Sequence, residues 1–272
     1  MQALKHWLAQ HPEGTELIRL RRQVRLRQVP FYQPCLILVL SGYKRFDGEH
    51  GYVQAEAGQG VALAAPQSLT VLNRPPAGGQ YQALLLPFSY QQLQQLQQLQ
   101  QWYGLAVDSS PPVNMLPWQL DTALEQSLLR YLQAPAGVLR QHRWLEVLLL
   151  LLQQQPGILQ LSYQQPSRSG GLRALLSEDL SKEWTLAQVC DRLATSESTL
   201  RRQLQREQTS FRQLLAELRL SAALNRLLQS EDPIYQVAAD CGFQSVSRFS
   251  SNFRKRFGLP PSSMRQQQES GH

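Results

Sequence analysis

Cysteine is scarce in this sequence, and no two cysteines have the spacing of a metal site. Cys35, Cys190 and Cys241 are an odd number of widely separated thiols in a chain of 272 residues. Neither a disulfide framework nor a cysteine-ligated metal site is therefore indicated. We expect buried thiols in a reducing compartment.

Long hydrophobic runs are also absent. The longest one, Val147 to Leu152, is far shorter than the roughly 20 residues that cross a bilayer. The N-terminal stretch from Met1 to Gln10 lacks the apolar core of a signal peptide. We expect a cytoplasmic protein without a membrane partner.

The part of the sequence in which strands are predicted contains no pair of clustered histidines. Short β-prone segments at 34–40, 52–56, 60–64, 69–73 and 81–86 are separated by glycine and proline, which is typical of an antiparallel sandwich or small barrel. Many such barrels hold a catalytic metal on clustered histidines, but His50 stands alone after Glu49. The sequence predicts no catalytic residues, no metal and no cofactor.

A strand signal at residues 19–29 has one basic face. Apolar side chains there are interleaved with Arg19, Arg21, Arg22, Arg25 and Arg27. This face is either the anion-binding wall of a ligand pocket or a solvated surface, and the sequence leaves both interpretations open.

Helical periodicity follows the strands. The glutamine-rich run Gln91 to Gln101 carries a leucine stripe, and further helices are predicted at Trp118 to Gln133 and Val138 to Gln154. The last is apolar nearly all round, so it is buried either within its own domain or against the domain and a second subunit together. Residues 164–171 have a linker composition, which predicts domains at 1–163 and 172–272.

Acidic residues are absent between Cys241 and Gln268. The whole chain has a net charge of +7 and a pI near 9.6, which is compatible with a polyanionic partner without establishing one. The segment from Asp232 to Gly258 predicts two helices joined by a glycine turn.

The first of these helices is predicted from its caps and its apolar stripe. Asp232 is a good N-cap, Pro233 suits the first helical position, and Gly242 ends the helix. The stripe consists of Ile234, Val237, Ala238 and Cys241.

The second helix begins after the N-cap Ser245 and buries Phe249, Phe253 and Phe257, which recur every four residues. Its opposite face carries small polar and basic residues: Ser247, Ser251 and Arg254, flanked by Arg248 and Lys255. Such a face suits a DNA major groove, because arginine can bond guanine while other cations neutralise phosphates. The alternative is a solvated amphipathic helix pair.

A second unit of the same kind lies upstream. Thr185 caps a helix with the stripe Leu186, Val189 and Leu193, Ala194-Thr195 turns, and Ser196-Glu197 begins the next helix. In that helix Leu200 and Leu204 face inward, and the outward residues are Ser198, Arg202, Gln205 and Arg206, with Arg201 on the flank. Residues 211–228 predict a helix of about 27 Å. Two recognition helices joined by a helix of this length can enter successive major grooves, which lie about 34 Å apart.

These motifs resemble the AraC/XylS-type transcription regulators over residues 172–265. The first half matches in Leu186-x2-Val189-x3-Leu193-x2-Ser196-x3-Leu200-x-Arg202-x-Leu204. The second half matches in Gly242-Phe243-x-Ser245-x-Ser247-x-Phe249-x3-Phe253-Arg254-Lys255-x-Phe257-Gly258. The stretch Tyr32-x-Pro34-x-Leu36-x-Leu38-Val39-Leu40-x-Gly42-x-Lys44 resembles the cupin-type sensing domain of one branch of that family.

The resemblance implies which residues read DNA. Bases would be read by Ser198, Arg201, Arg202, Val246, Ser247, Arg248 and Ser251, and phosphates would be bound by Gln205, Arg206, Arg254 and Lys255. Ser251 stands where the family commonly has arginine, and Thr209 replaces a usual glycine. The first departure predicts that the first recognition helix dominates specificity.

The resemblance also implies the architecture and the partners. The expected fold is α+β: an antiparallel cupin-like β-barrel with following helices, then an all-α domain with two helix-turn-helix units joined by a long helix. The expected function is sequence-specific transcription regulation, as an activator and a homodimer. The partners would be double-stranded DNA, RNA polymerase and a small-molecule effector or protein modulator. Two other hypotheses are a metal-dependent barrel enzyme and an anti-activator that binds an acidic protein.

Overall fold

The structure, a computed structural model, describes residues 1–11, 17–49, 51–105, 113–163 and 169–266. His50 and most of the predicted linker lie outside the described residues. The chain divides into two compact units, Met1–Arg25 with Pro30–Gln165, and Leu26–Val29 with Pro166–His272. The boundaries at 163 and 172 stay a prediction.

The N-terminal half is rich in antiparallel strands, as predicted. Its strands are β1 Leu17–Leu20, β2 Val24–Phe31, β3 Cys35–Ser41, β4 Tyr43–Gly48, β5 Gly51–Glu56, β6 Gln59–Leu63, β7 Gln67–Arg74, β8 Tyr81–Pro87 and β9 Met115–Gln119. They form two sheets, in the orders β1-β8-β3-β6-β9 and β2-β7-β4-β5. Within the described residues no strand pair joins the two sheets into one closed barrel. The apolar β3 is central in its sheet and buried along nearly its whole length, as expected for a strand covered on both faces.

Two strand predictions needed correction. The single strand expected at 19–29 is two strands, because the exposed residues Arg21 to Gln23 separate β1 from β2. The segment 43–48, where the sequence predicted no strand, is β4, in which half-buried side chains alternate with the buried Lys44 and Phe46. A lysine on the inner face concealed this alternation in the sequence.

The helix expected at Trp118 to Gln133 begins later. Its helical part, α3, is Thr122–Gln133, capped by the side chain of Asp121. Trp118 belongs to β9, opposite Gly60 of β6, and its indole fills the space that a Cβ at position 60 would need. Strand pairing with a glycine therefore prevails over the helical pattern at these residues.

The other helices of the first unit are α1 Gln2–Gln10, α2 Tyr90–Tyr103, α4 Val138–Gln154 and a 3-10 helix, Pro156–Tyr163. α4 packs on α3 through a buried face that includes Trp144, Leu148 and Leu151. Val138 and Leu139 on its first turn are exposed. Burial of α4 against a second subunit stays a prediction. None of the helices in the described ranges is long and apolar enough to cross a membrane.

From residue 169 to residue 266 the second unit is built from helices, while its segment Leu26–Val29 is part of β2. Its helices are α5 Gly170–Glu178, α6 Leu186–Arg192, α7 Glu197–Arg206, α8 Phe211–Gln229, α9 Ile234–Asp240, α10 Val246–Phe257 and α11 Pro261–Gln266. α6 contacts α7, and α9 contacts α10, while α8 contacts α5, α9 and α11. The predicted pair of two-helix units joined by one long helix is thus present.

Candidate nucleic-acid interface

Short side chains fix where the first helix-turn-helix begins and turns. The Thr185 hydroxyl accepts the backbone N–H of Gln188, and the Gln188 side chain accepts the backbone N–H of Thr185. This capping box starts α6 and satisfies two backbone donors. Ala194 has a left-handed φ of 47° in the turn, and the Ser196 hydroxyl caps α7 at Thr199. Both predicted caps are confirmed.

α7 is held by two buried leucines. Leu200 and Leu204 are each 2% exposed and lie one turn apart, so they define the inner face. The residues predicted to face outward, Ser198, Arg201, Arg202, Gln205 and Arg206, are all exposed. The two buried leucines thereby fix one side of α7, while its polar side is accessible to a partner.

The second helix-turn-helix starts one residue later than expected. Pro233 is the N-cap of α9, not its first residue. Asp232 does not cap the helix, because its carboxylate accepts bonds from Arg226 and Ser230. Gly242 follows α9 with a φ of 79°, and Ser245 caps α10 at Arg248 as predicted.

An aromatic spine holds α10. Phe249, Phe253 and Phe257 are each 0% exposed, with ring centroids 5.6 Å apart for the first pair and 4.7 Å apart for the second. Both pairs are edge-on, the geometry that aromatic rings prefer. The spine fixes the rotation of α10 and so determines which residues are presented on the outside.

α8 connects the two helix-turn-helix units, and arginines in its middle and near its C-terminal end bind it to neighbouring segments. The helix has 19 residues, or about 28 Å. Arg219 donates to the carbonyls of Leu180 and Lys182, at 2.9 Å each. Arg226 lies 2.6 Å from Asp232 and 2.5 Å from Asp240, and its hydrogen bond lowers the pKa of Asp232. Arg219 thus holds the loop between α5 and α6 against α8, and Arg226 holds both ends of α9.

The outer face of α10 is cationic and polar. Val246, Ser247, Arg248, Ser251, Arg254 and Lys255 are all exposed. Arg248, Arg254 and Lys255, like Arg202 and Arg206 of α7, form no ion pair with any residue in the described ranges. Arg201 differs, because its guanidinium lies 3.1 Å from Glu197. An exposed pair at this spacing contributes only about 0.3–0.5 kcal/mol, so Arg201 can exchange it for a DNA contact.

Sequence reasoning missed two exposed residues on these faces. Thr199 is exposed and lies about 60° around α7 from Arg202, closer than Arg201 at about 100°. Asn252 is exposed on α10, about 40° from Arg248. The sequence could have indicated both residues through their angular position relative to the buried apolar stripe of each helix. Asparagine can pair with adenine in the major groove.

Replacement of Gly242 is expected to destabilise the second unit. An added Cβ would lie 2.7 Å from the Arg219 Cζ and closer still to the Leu180 carbonyl oxygen, and φ is left-handed. We expect Gly242→Ala to lower the free energy of unfolding by about 1–3 kcal/mol. Urea denaturation measures this. Gly170→Ala is the control, because nothing lies within 4 Å of its added Cβ; equal stability of the two variants would contradict the prediction.

Residues 189–267 match the family model described as a helix-turn-helix domain. The chain is 38% identical over 106 residues to the urease operon transcriptional activator of Escherichia coli, which is 39% of this chain and 36% of that protein. The second unit carries an AraC-type helix-turn-helix domain. The AraC-type domain also aligns with the HTH-type transcriptional regulator YdeO of Shigella flexneri, 40% identical over 95 residues, or 35% of this chain and 37% of YdeO. The alignments thus span little more than a third of each relative.

A solved structure is similar over the whole chain. ToxT from Vibrio cholerae superposes with a TM-score of 0.64 at 14% identity, covering 94% of this chain and 99% of ToxT. A ToxT structure with a bound unsaturated fatty acid superposes with a TM-score of 0.58 at 15% identity, covering 93% of this chain and 94% of ToxT. This likeness shows the fold: a strand-rich N-terminal domain with following helices, then the AraC-type domain.

Proposed function

We propose that this protein is a sequence-specific DNA-binding transcription regulator that acts as an activator. The observation that carries the proposal is the repeated architecture of α7 and α10. Each is capped by a serine, is held by a buried apolar stripe, and exposes a polar face with arginines that form no ion pair with any described residue, Arg202 and Arg206 on α7 and Arg248 and Arg254 on α10. Major-groove readers need this combination of a rigid helix and free donors.

The proposal assigns the base contacts and the phosphate contacts to different residues. Bases are read by Ser198, Arg201, Arg202, Val246, Ser247, Arg248 and Ser251, and phosphates are bound by Gln205, Arg206, Arg254 and Lys255. Arg202 lies on the outer face of α7, where its forked guanidinium can bond guanine. With Ser251 in place of a longer donor, α10 contributes fewer base contacts than α7.

The proposal includes a sensing role for the first unit. Its fold resembles that of ToxT, for which a structure with a bound unsaturated fatty acid is known. We propose that a small molecule or a protein modulator acts on this unit, that the protein functions as a homodimer in the cytoplasm, and that RNA polymerase is the partner in activation. The described residues contain no group of three histidine, cysteine, aspartate or glutamate side chains placed to hold a metal ion.

Arg202→Ala should relax sequence specificity. DNA sites selected from a random pool by the unmodified protein supply the specific probe, and the scrambled site supplies the nonspecific one. We expect affinity for the selected site to fall by about 1–3 kcal/mol, and the base preference to weaken at one position. Mobility shift with both probes measures this, and an equal loss on both would contradict a base-reading role.

Arg254→Ala is the matched comparison, because Arg254 is also exposed and forms no ion pair within the described ranges, but is assigned to phosphate. We expect it to weaken selected and scrambled DNA alike, and to lower the slope of log affinity against log salt by about 1. If Arg254→Ala weakened binding to the selected site but not to scrambled DNA, Arg254 would contact a base and not a phosphate. Strong binding to an acidic protein without any DNA preference would instead support the anti-activator hypothesis.

A further inference from the structure

The loop between α5 and α6 touches both helix-turn-helix units. Trp184, its last residue but one, directly precedes Thr185, the N-cap of α6. On its other side the Leu180 carbonyl lies against Gly242, in the turn of the second helix-turn-helix, where an added Cβ would overlap it. Residues 179–184 therefore form a second connection between the helix-turn-helix units besides α8, and we call them the brace.

The brace is held in shape by its own hydrogen bonds. The Asp179 carboxylate accepts the backbone N–H groups of Ser181 and Lys182 and also the Ser181 hydroxyl. Trp184 is 7% exposed, and its indole N–H donates to the Asp179 carbonyl at 2.7 Å. Because these local bonds restrict the backbone of the loop, the brace moves together with the start of α6.

Arg219, in the middle of α8, fastens the brace to the connecting helix. It donates to the carbonyls of Leu180 and Lys182, at 2.9 Å each. Its guanidinium also lies beside Gly242, since a Cβ added there would be 2.7 Å from the Arg219 Cζ. One half-buried guanidinium thus joins α8, the brace and the turn of the second helix-turn-helix.

The turn of the second helix-turn-helix carries this contact on to α10. The Gln244 side-chain amide donates to the Glu183 carboxylate on the brace. Gln244 directly precedes Ser245, the N-cap of α10. The ring of Phe243 packs on that of Phe249 in the aromatic spine, with centroids 5.0 Å apart. A shift of the brace would therefore move the second recognition helix.

We propose that the brace fixes the angle between the two helix-turn-helix units, with Arg219, Glu183 and Gln244 as its positioning residues. The protein therefore requires one spacing between the DNA segments that α7 and α10 read. This role rests on the proposed DNA-binding function and adds a determinant of its specificity. One inserted base pair moves a segment by about 3.4 Å along the duplex and about 34° around it, and two recognition helices held at a fixed angle cannot follow that movement.

Selection of DNA sites from a random pool by the full chain, followed by mobility shift, tests the brace. Sites selected by the unmodified protein should contain two read segments at one fixed spacing. One base pair inserted between those segments should weaken binding about 100-fold, because only one recognition helix can then engage its segment. The ratio of the two affinities is the spacing discrimination. Arg219→Ala should lower it to about 10-fold or less, and sites selected by this variant should show more than one spacing.

Variants of the exposed contact between Glu183 and Gln244 separate positioning from stability. Glu183→Ala should also lower the spacing discrimination, whereas Glu183→Gln should keep it, because the new amide oxygen still accepts from Gln244. Arg192→Ala is the matched control, since it removes an exposed ion pair with Glu178 between α5 and α6. Its spacing discrimination should equal that of the unmodified protein.

Equal binding of the unmodified protein to the original and the lengthened site would overturn the brace. So would an unchanged spacing discrimination in Arg219→Ala and Glu183→Ala, because a contact that only stabilises the domain changes the affinity for both sites alike. A protein that selects a DNA site but tolerates the insertion keeps the proposed DNA-binding function and loses only the brace. A protein that selects no site loses both.

Discussion

Phe253→Ala should strongly destabilise the AraC-type domain. The ring is fully buried and packs edge-on between Phe249 and Phe257. Removing a buried phenylalanine leaves a cavity and costs about 3–5 kcal/mol, which is a large part of the roughly 5–15 kcal/mol that stabilises a typical domain. Guanidinium denaturation should show this loss, and mobility shift should show loss of DNA binding, since α10 would no longer be fixed.

Tyr235→Ala is the matched control. Tyr235 is also an aromatic residue of the same domain, but it is 64% exposed on α9. Its removal should change the free energy of unfolding by no more than about 0.5 kcal/mol. If the two variants are equally stable, the aromatic spine does not hold the second recognition helix as the structure implies.

Lys44 should make the stability of the first unit increase with pH. The unfolded chain keeps a proton on Lys44 up to its ordinary pKa of 10.5, whereas the folded chain releases it near pH 7. Between these values the unfolded state holds more protons, so raising the pH favours folding, and the cost is greatest below neutral pH. From about pH 7.5 to 9.5 the expected gain is about 2 kcal/mol.

Lys44→Met isolates this contribution. The variant lacks the titrating group, while the cysteines and tyrosines that ionise in the same range remain. The free energy of unfolding from denaturation at both pH values should therefore rise more with pH in the unmodified protein than in Lys44→Met. If the free energy of unfolding depends on pH in the same way in both proteins, Lys44 stays charged in the folded state. Its surroundings would then be more polar than the structure indicates.

The second unit could be predicted from sequence almost completely, because its signals are local. Thr185, Ser196 and Ser245 cap the helices that follow them, and each cap is a bond between a side chain and a backbone N–H three residues away. The phenylalanine stripe is likewise contained in one helix. The error at Asp232 was of a different kind, since its carboxylate bonds to Arg226 on the preceding helix.

The first unit was predicted less well, because its signals are long-range. The sequence around Trp118 has a helical pattern, but Trp118 lies in a strand and pairs with Gly60 of the neighbouring strand. β4 was missed because Lys44 occupies an inward position that ordinarily holds an apolar residue. Strand pairing depends on partners far away in the chain, which periodicity does not reveal.

The sequence by itself determined the helices α7 and α10 and their outward residues, because helix caps and a repeat of three to four residues act over a single turn. Only the tertiary structure decided that Lys44 is enclosed with Asn73 and Tyr81, and that Arg219 binds the loop between α5 and α6 to α8. Those groups are separated by tens of residues in the chain, and packing alone brings them together.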